Sequence, residues 1–350
     1  MPETDNLNKT GSFLSALRRE KTSSTPVWLM RQAGRYQKEY RDLREKVSFL
    51  ELCRTPELAS QVTVFAVRQL KVDAAIIFAD ILLILDVLGM QLRFQENHGP
   101  VFDNPVQTAD AVGNLPSKDM AEELAYVGKA IAMTVDELKG VPVIGFAGAP
   151  FTVASYAIEA GPSKNFTRTK RFMYEHPEAF KQLMEILTDA TIDYLKMQVK
   201  YGASCLQLFD SWVGCLSPRD YEIFVLPHMQ NLFSALKETV PTIYFGTGTQ
   251  GLLESMARTE AGTIGVDWRV DLDRAWKVLG PDRGIQGNLD PVILLSDRPT
   301  IKANVEEILK KADGRPGHIF NLGHGILPGT PVDNAKYLVE LVHELSENQG

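Results

Sequence analysis

Eight short apolar runs of strand length recur along the chain, and most are separated by longer stretches of helical periodicity. They are VWLM (27–30), AAIIF (74–78), VPVIGFAG (141–148), CLQLFD (205–210), TIYFG (242–246), TIGVD (263–267), GIQGN (284–288) and HIFNLG (318–323). Amphipathic segments at 55–71, 117–139, 176–202, 217–238, 251–258, 271–280 and 300–312 lie between them. A strand that waits for a helix before the next strand pairs in parallel, because parallel neighbours need a crossover connection. Eight such units predict a single-domain α/β fold, a (β/α)8 TIM-type barrel, rather than a doubly wound sheet. No G-x-G-x-x-G follows the first run, which weighs against dinucleotide binding. One stretch departs from the pattern. Residues 90–105, MQLRFQENHGPVFDNP, alternate with period two around a His-Gly-Pro turn and predict a β-hairpin excursion. The division expected is a polar tail with a short helix over residues 1–25 and a barrel domain over 26–350.

Composition narrows the partners. With 37 basic against 44 acidic residues the chain carries a net charge of −7, which speaks against nucleic acid and against an anionic membrane surface. The three cysteines, Cys53, Cys205 and Cys215, are too few and too scattered for a disulfide framework. They show no C-x-x-C or H-x-C spacing, so no metal is expected. The first 20 residues have early acids and no apolar core of signal length, and a cytoplasmic location is the expectation.

The most apolar stretch is DAAIIFADILLILDVLGM (73–90), with Asp80 in its middle. Its two acids and its length fall short of the roughly 20 apolar residues of a membrane span. Its continuous apolarity predicts an element buried on both faces. A carboxylate there must be paired, hydrogen-bonded or neutralised. In barrels of this class chemistry sits at the C-terminal ends of the strands. Those ends form a ring of 31–35, Asp80, 149–156, 210–212, 246–251, Asp267, 288–290 and 321–325, which puts Asp80 at the mouth. RQAGRY (31–36) places Arg31 and Arg35 four apart, so a helical turn would aim both guanidinium groups at carboxylates in forked pairs. The bland alternative pairs them with Glu39 and Asp42 on a solvated helix. Tyr156, after GAPFTVASY, either donates to an anionic ligand or packs. Ser211 lacks a nucleophile frame and a basic partner, so a hydrogen-bonding role is expected. NLGHGILPG (321–329) either cradles phosphate or presents His324 to a ligand.

Taken together, PVWLMRQAGRYQKEYR (26–41), AAIIFADIL (74–82), GFAGAPFTVASYAIEA (145–160), LFDSW (208–212) and NLGHGILPGT (321–330) resemble the uroporphyrinogen decarboxylase family. The resemblance implies a cofactor-free carboxy-lyase of tetrapyrrole (haem and chlorophyll) biosynthesis that removes CO2 from four acetate side chains of uroporphyrinogen, and a homodimer. It implies that Arg31, Gln32, Ala33, Gly34 and Arg35 form a substrate-binding loop and that Asp80 is the central catalytic carboxylate. It further implies that Tyr156, Ser211 and His324 are substrate contacts, with Arg31, Tyr156 or a water held by Tyr156 as proton donor. Two alternatives remain: a zinc-dependent corrinoid methyltransferase-like barrel, which would need a His-x-Cys pair, and an inactive tetrapyrrole-binding barrel.

Overall fold

The computed structural model describes residues 4–95 and 99–347, and in it the expected runs close into a parallel barrel. Its strands are β1 Ala75–Ile76, β2 Leu92–Gln95, β3 Gly99–Phe102, β4 Val143–Gly148, β5 Cys205–Asp210, β6 Thr242–Gly246, β7 Thr263–Gly265, β8 Gly284–Gln286 and β9 His318–Ile319. Seven of these form one sheet in the order β1-β4-β5-β6-β7-β8-β9. Every neighbouring pair in it is parallel. The first run, VWLM, closes the barrel through a single bridge, Val27 to Phe320. Phe320 N donates to Pro26 O at 2.8 Å, and on the other side Asp73 N donates to Val27 O at 2.9 Å. Pro26 has no N–H to give the ladder. Val27 N donates instead to the Asp73 carboxylate at 2.7 Å, so this edge is sewn by a side chain.

The inner face is identified by a bond across the barrel. Trp28 Nε1 donates to Gln286 Oε1 at 2.9 Å, and Gln286 Nε2 donates to Gln207 Oε1 at 3.1 Å. These residues come from three non-adjacent strand positions, so only inward-pointing side chains can meet. Phe209, two residues beyond Gln207, therefore shares that face and lies one layer nearer the mouth. Its ring packs on Phe146 and Phe245, with centroids 5.5 and 5.9 Å away.

The hairpin forms as expected, with Leu92 opposite Phe102 and Gln95 opposite Gly99. Its tip, including His98, lies outside the described residues. Three expectations need correction. The segment 217–238 is two helices, Pro218–Phe224 and Leu226–Leu236. Pro227 clashes with the turn before it, which places the break at Val225. Segment 117–139 likewise divides into Met120–Glu123 and Ala125–Leu138. The apolar stretch 73–90 is not one buried strand: two strand residues lead into a loop and then a short helical turn at Leu83–Leu85. Leu82, Leu83, Ile84 and Leu85 are all buried. Phe78, Ala79, Asp80 and Ile81, in the loop between the strand and that turn, keep part of their surface.

A helix that the periodicity did not single out, Val332–Ser346, packs its His343 against Asp73. His343 Nε2 stands 2.7 Å from Asp73 Oδ2, the same oxygen that accepts from Val27 N. One turn on, Ser346 Oγ accepts from Thr25 N at 2.8 Å. This helix thus fixes the first barrel segment from outside. Among the described residues no helix is long and apolar enough to cross a membrane.

Candidate active site

The first barrel segment ends in a tight turn whose third residue, Arg31, has φ +62°. A left-handed backbone costs a non-glycine residue about 1 kcal/mol, so its neighbours must hold it there. Met30 N donates to Asn321 Oδ1 at 3.1 Å, and Gln32 N donates to Leu29 O at 3.0 Å. Gln32 is fully buried: its amide donates to Ala74 O at 3.2 Å and accepts from Leu29 N at 3.3 Å. The Gln32 side chain is therefore turned into the protein and braces the turn, while Ala33 and Gly34 stay half-buried beside it. Gly34 N donates to Gln37 Oε1 at 3.0 Å.

Arg31 and Arg35 are both exposed, and neither makes an ion pair among the described residues. The pairing with Glu39 and Asp42 does not form, because Lys38 takes Asp42. Arg41 instead donates to the carbonyls of Arg35 and Tyr36 at 2.8 and 3.0 Å, which anchors the loop by its backbone. Two guanidinium groups held at a strand end with free donors can grip carboxylates from outside the chain.

Asp80 follows β1 in a loop pressed against Gly148, where any Cβ would come within 3.1 Å of Ile81 O. Its Oδ1 accepts from Leu82 N at 2.8 Å. Burial pushes the carboxyl up to about 6, against the pull of the Leu82 N–H and of the Arg31 charge. Tyr156, on the helix Pro150–Glu159, stacks on Trp212 with centroids 3.7 Å apart and planes 24° off parallel. Burial foremost, and then the Asp80 charge, push its phenol up to about 12, with Arg31 pulling the other way. Arg31, Asp80 and Tyr156 thus feel one another's charge. His324 is half-buried, and burial first, then Arg31 and Arg269, hold its imidazole below the usual range. It is a neutral hydrogen-bonding group at pH 7. Ser211 is half-buried, and its carbonyl accepts from Thr247 Oγ1.

Asp210 does not join the mouth. It is fully buried, accepting from Thr152 Oγ1 and Tyr244 OH, each at 2.7 Å. Burial pushes it up to about 6 as well, but its oxygens already have donors within the scaffold. Asp86, paired with Arg54 and accepting from Leu92 N at 3.0 Å, is likewise a scaffold residue. The motifs gave no role to three features: the apolar floor at Phe209, the stacking partner Trp212, and the Trp268–Arg269 pair after β7. Period-two alternation in CLQLFD was enough to find the first. No group of three or more His, Cys, Asp or Glu side chains suited to a metal ion occurs among the described residues.

A family model described as uroporphyrinogen decarboxylase matches residues 8–345. A uroporphyrinogen decarboxylase of Carboxydothermus hydrogenoformans is 56% identical over 337 residues, covering 96% of each chain. One from Koribacter versatilis is 51% identical over 95% of this chain and 96% of its own. The chain belongs to the uroporphyrinogen decarboxylase family. The uroporphyrinogen decarboxylase fold also resembles a methyltransferase from Methanosarcina mazei, with a TM-score of 0.79 over 96% of this chain and 98% of the other. At 20% identity that likeness concerns the fold alone. A B12-independent methionine synthase from Shewanella aligns with a TM-score of 0.55 at 8% identity, covering 83% of this chain and 89% of its own. The mouth therefore belongs to a barrel shared with methyltransferases, while the whole-chain identity lies with the uroporphyrinogen decarboxylase family.

Proposed function

We propose that this carboxy-lyase removes CO2 from the four acetate side chains of uroporphyrinogen to give coproporphyrinogen, and that Asp80 is the centre of the reaction. The observation that carries this reading is a carboxylate kept in a water-poor mouth, with one hydrogen bond from the chain and spare acceptor capacity. Pyrrole N–H groups of a macrocycle lying over Phe209 are donors of the right kind to fill it.

Protonation of the pyrrole carbon adjacent to the one that bears the acetate makes a cationic ring. The bond to the carboxylate then breaks, CO2 leaves, and its electron pair flows into the ring. A second proton at the exocyclic methylene gives the methyl group, while the ring carbon returns its own. The net change is one proton taken up and one CO2 released. Asp80 lowers the barrier by facing the cation with a fixed charge in a low dielectric. Arg31 and Arg35 hold other side-chain carboxylates, with Ala33 and Gly34 letting the substrate approach the loop and Gln32 fixing its shape. Tyr156 keeps its proton at neutral pH and donates to a carboxylate or to a water. Ser211 and His324 are neutral hydrogen-bonding contacts.

The reading extends to a cytoplasmic homodimer with no bound cofactor. The unpaired cysteines, Cys53 and Cys205 buried and Cys215 half-buried, are in keeping with a reducing compartment. Anaerobic incubation of the purified protein with uroporphyrinogen, without added metal, tests the activity. Hepta- to tetracarboxylate porphyrins after oxidation are expected. Their absence, or turnover only with zinc and a corrinoid, would sink the proposal. Analytical ultracentrifugation tests the dimer.

A further inference from the structure

A third arginine stands at the mouth. Arg269 lies in the loop after β7, and that loop is held from several sides. Asn288 Nδ2 donates to Asp267 O at 2.8 Å and to Val270 O at 2.7 Å. Asp267, fully buried, accepts from Gly248 N at 2.8 Å and from Arg269 N at 3.1 Å. Its Oδ2 also takes Arg269 Nη1 at 2.5 Å. The guanidinium lies over Trp268, with its central carbon 4.0 Å from the ring centroid. One edge is therefore fixed by Asp267 and one face by Trp268.

The remaining nitrogens have no partner among the described residues, and the Arg269 side chain is 55% exposed while Asp267 is 0% exposed. A cation present only to neutralise Asp267 would gain by following it inward. This one leaves its outer donors in the mouth.

His324 connects this arginine to the first. Gly323 presses on Trp268, where a Cβ would come within 2.4 Å of the backbone N, and Gly325 presses on Arg31. His324 thus stands between the two, and both charges act on its ring. The substrate carries eight carboxylates around a ring, and anchors on one side only would let it pivot.

We propose that Arg269 is a further substrate-binding residue, gripping a side-chain carboxylate of the tetrapyrrole beyond His324 from Arg31. This rests on the decarboxylase reading above. The pre-oriented fork, already stacked and bonded along one edge, loses little freedom on binding.

The experiment is anaerobic steady-state kinetics with uroporphyrinogen on the wild type, Arg269→Ala, Arg269→Lys and the double variant Asp267→Asn/Arg269→Gln. The double variant removes the cation without leaving a buried acid unpaired, so it keeps the test open if Arg269→Ala does not fold. KM is expected to rise about tenfold in Arg269→Ala and in the double variant, more than kcat falls, as for one lost charge-assisted contact. Arg269→Lys should recover part of that loss. The salt dependence of kcat/KM should become shallower without Arg269. A folded double variant with wild-type KM and salt dependence overturns the assignment while leaving the decarboxylase reading intact. A loss confined to melting temperature and kcat, with salt dependence unchanged, overturns it too. A wild-type protein that does not turn over uroporphyrinogen overturns both.

Discussion

Gly325 lies against Arg31 so closely that a Cβ there would stand 2.5 Å from Arg31 Cδ and 2.9 Å from its Nε. The glycine is a floor for the arginine. What would give way is a flexible, exposed side chain, so Gly325→Ala should cost under about 1 kcal/mol of stability. It should still lower kcat/KM roughly 10–100-fold, because the guanidinium is displaced from where it receives a carboxylate. Gly323→Ala makes the opposite case. Its Cβ would meet the backbone N of Trp268 at 2.4 Å, which cannot swing aside. Thermal unfolding should show the larger loss for Gly323→Ala and kinetics the cleaner loss for Gly325→Ala. Equal melting temperatures would refute this division.

Asp80→Asn should preserve the fold and cut turnover by about 100-fold or more, the scale of one lost preorganised electrostatic contact. In the wild type, kcat/KM should fall as the pH drops below about 6, where the free enzyme's Asp80 takes up a proton. Asp210 is pushed to a similar value but touches only the scaffold, so an Asp210→Asn enzyme that folds should keep the acid limb. The Asp80→Asn residual activity should lack it.

The same carboxyl has a cost in stability. Its folded value is raised above the usual 3.8, so the folded state favours the proton. Stability is therefore lost as the pH rises from about 4 through about 6 and the buried group ionises. Asp80→Asn should be more stable than the wild type at pH 8, on the order of 1–3 kcal/mol, with the gap closing toward pH 4. Urea unfolding at the two pH values measures it. A gap that widened in acid would contradict the sign.

His343→Ala should destabilise by about 1–3 kcal/mol, because it leaves the buried Asp73 carboxylate with fewer donors. Asp73→Asn should cost less, since an amide oxygen can still accept from Val27 N. Denaturant midpoints give the comparison, and a larger loss for Asp73→Asn would reverse the assignment.

For Arg35→Ala, KM should rise and the dependence of kcat/KM on ionic strength should weaken, as expected when an exposed cation no longer meets a carboxylate. Kinetics between low and physiological salt would show it. An unchanged slope would remove Arg35 from the carboxylate grip.

The barrel was readable because strands buried on both faces must be apolar and crossover helices must be amphipathic. All eight runs lie where the periodicity puts them, though the first is tied as much by Asp73 as by backbone pairing. The positions of Arg31 and Asp80 followed from strand ends. Gln32 shows where such reasoning stops. It lies inside a binding motif, yet the left-handed backbone at Arg31 and the pull of Ala74 O turn it inward. Leu82 to Leu85 belong to the core, because the chain coils into a helical turn soon after Asp80. Arg269 escaped notice for a different reason. In DWRVDLDRAW it reads as one charge among several ahead of a helix, and only the fold shows that Trp268 and His324 surround it.

The contact between Asp73 and His343 joins residues 270 positions apart. It holds the segment that leads straight into Arg31. The cationic turn at the rim and the helix Val332–Ser346 on the outer face of the barrel are therefore one mechanical unit, and loosening that helix would loosen the turn.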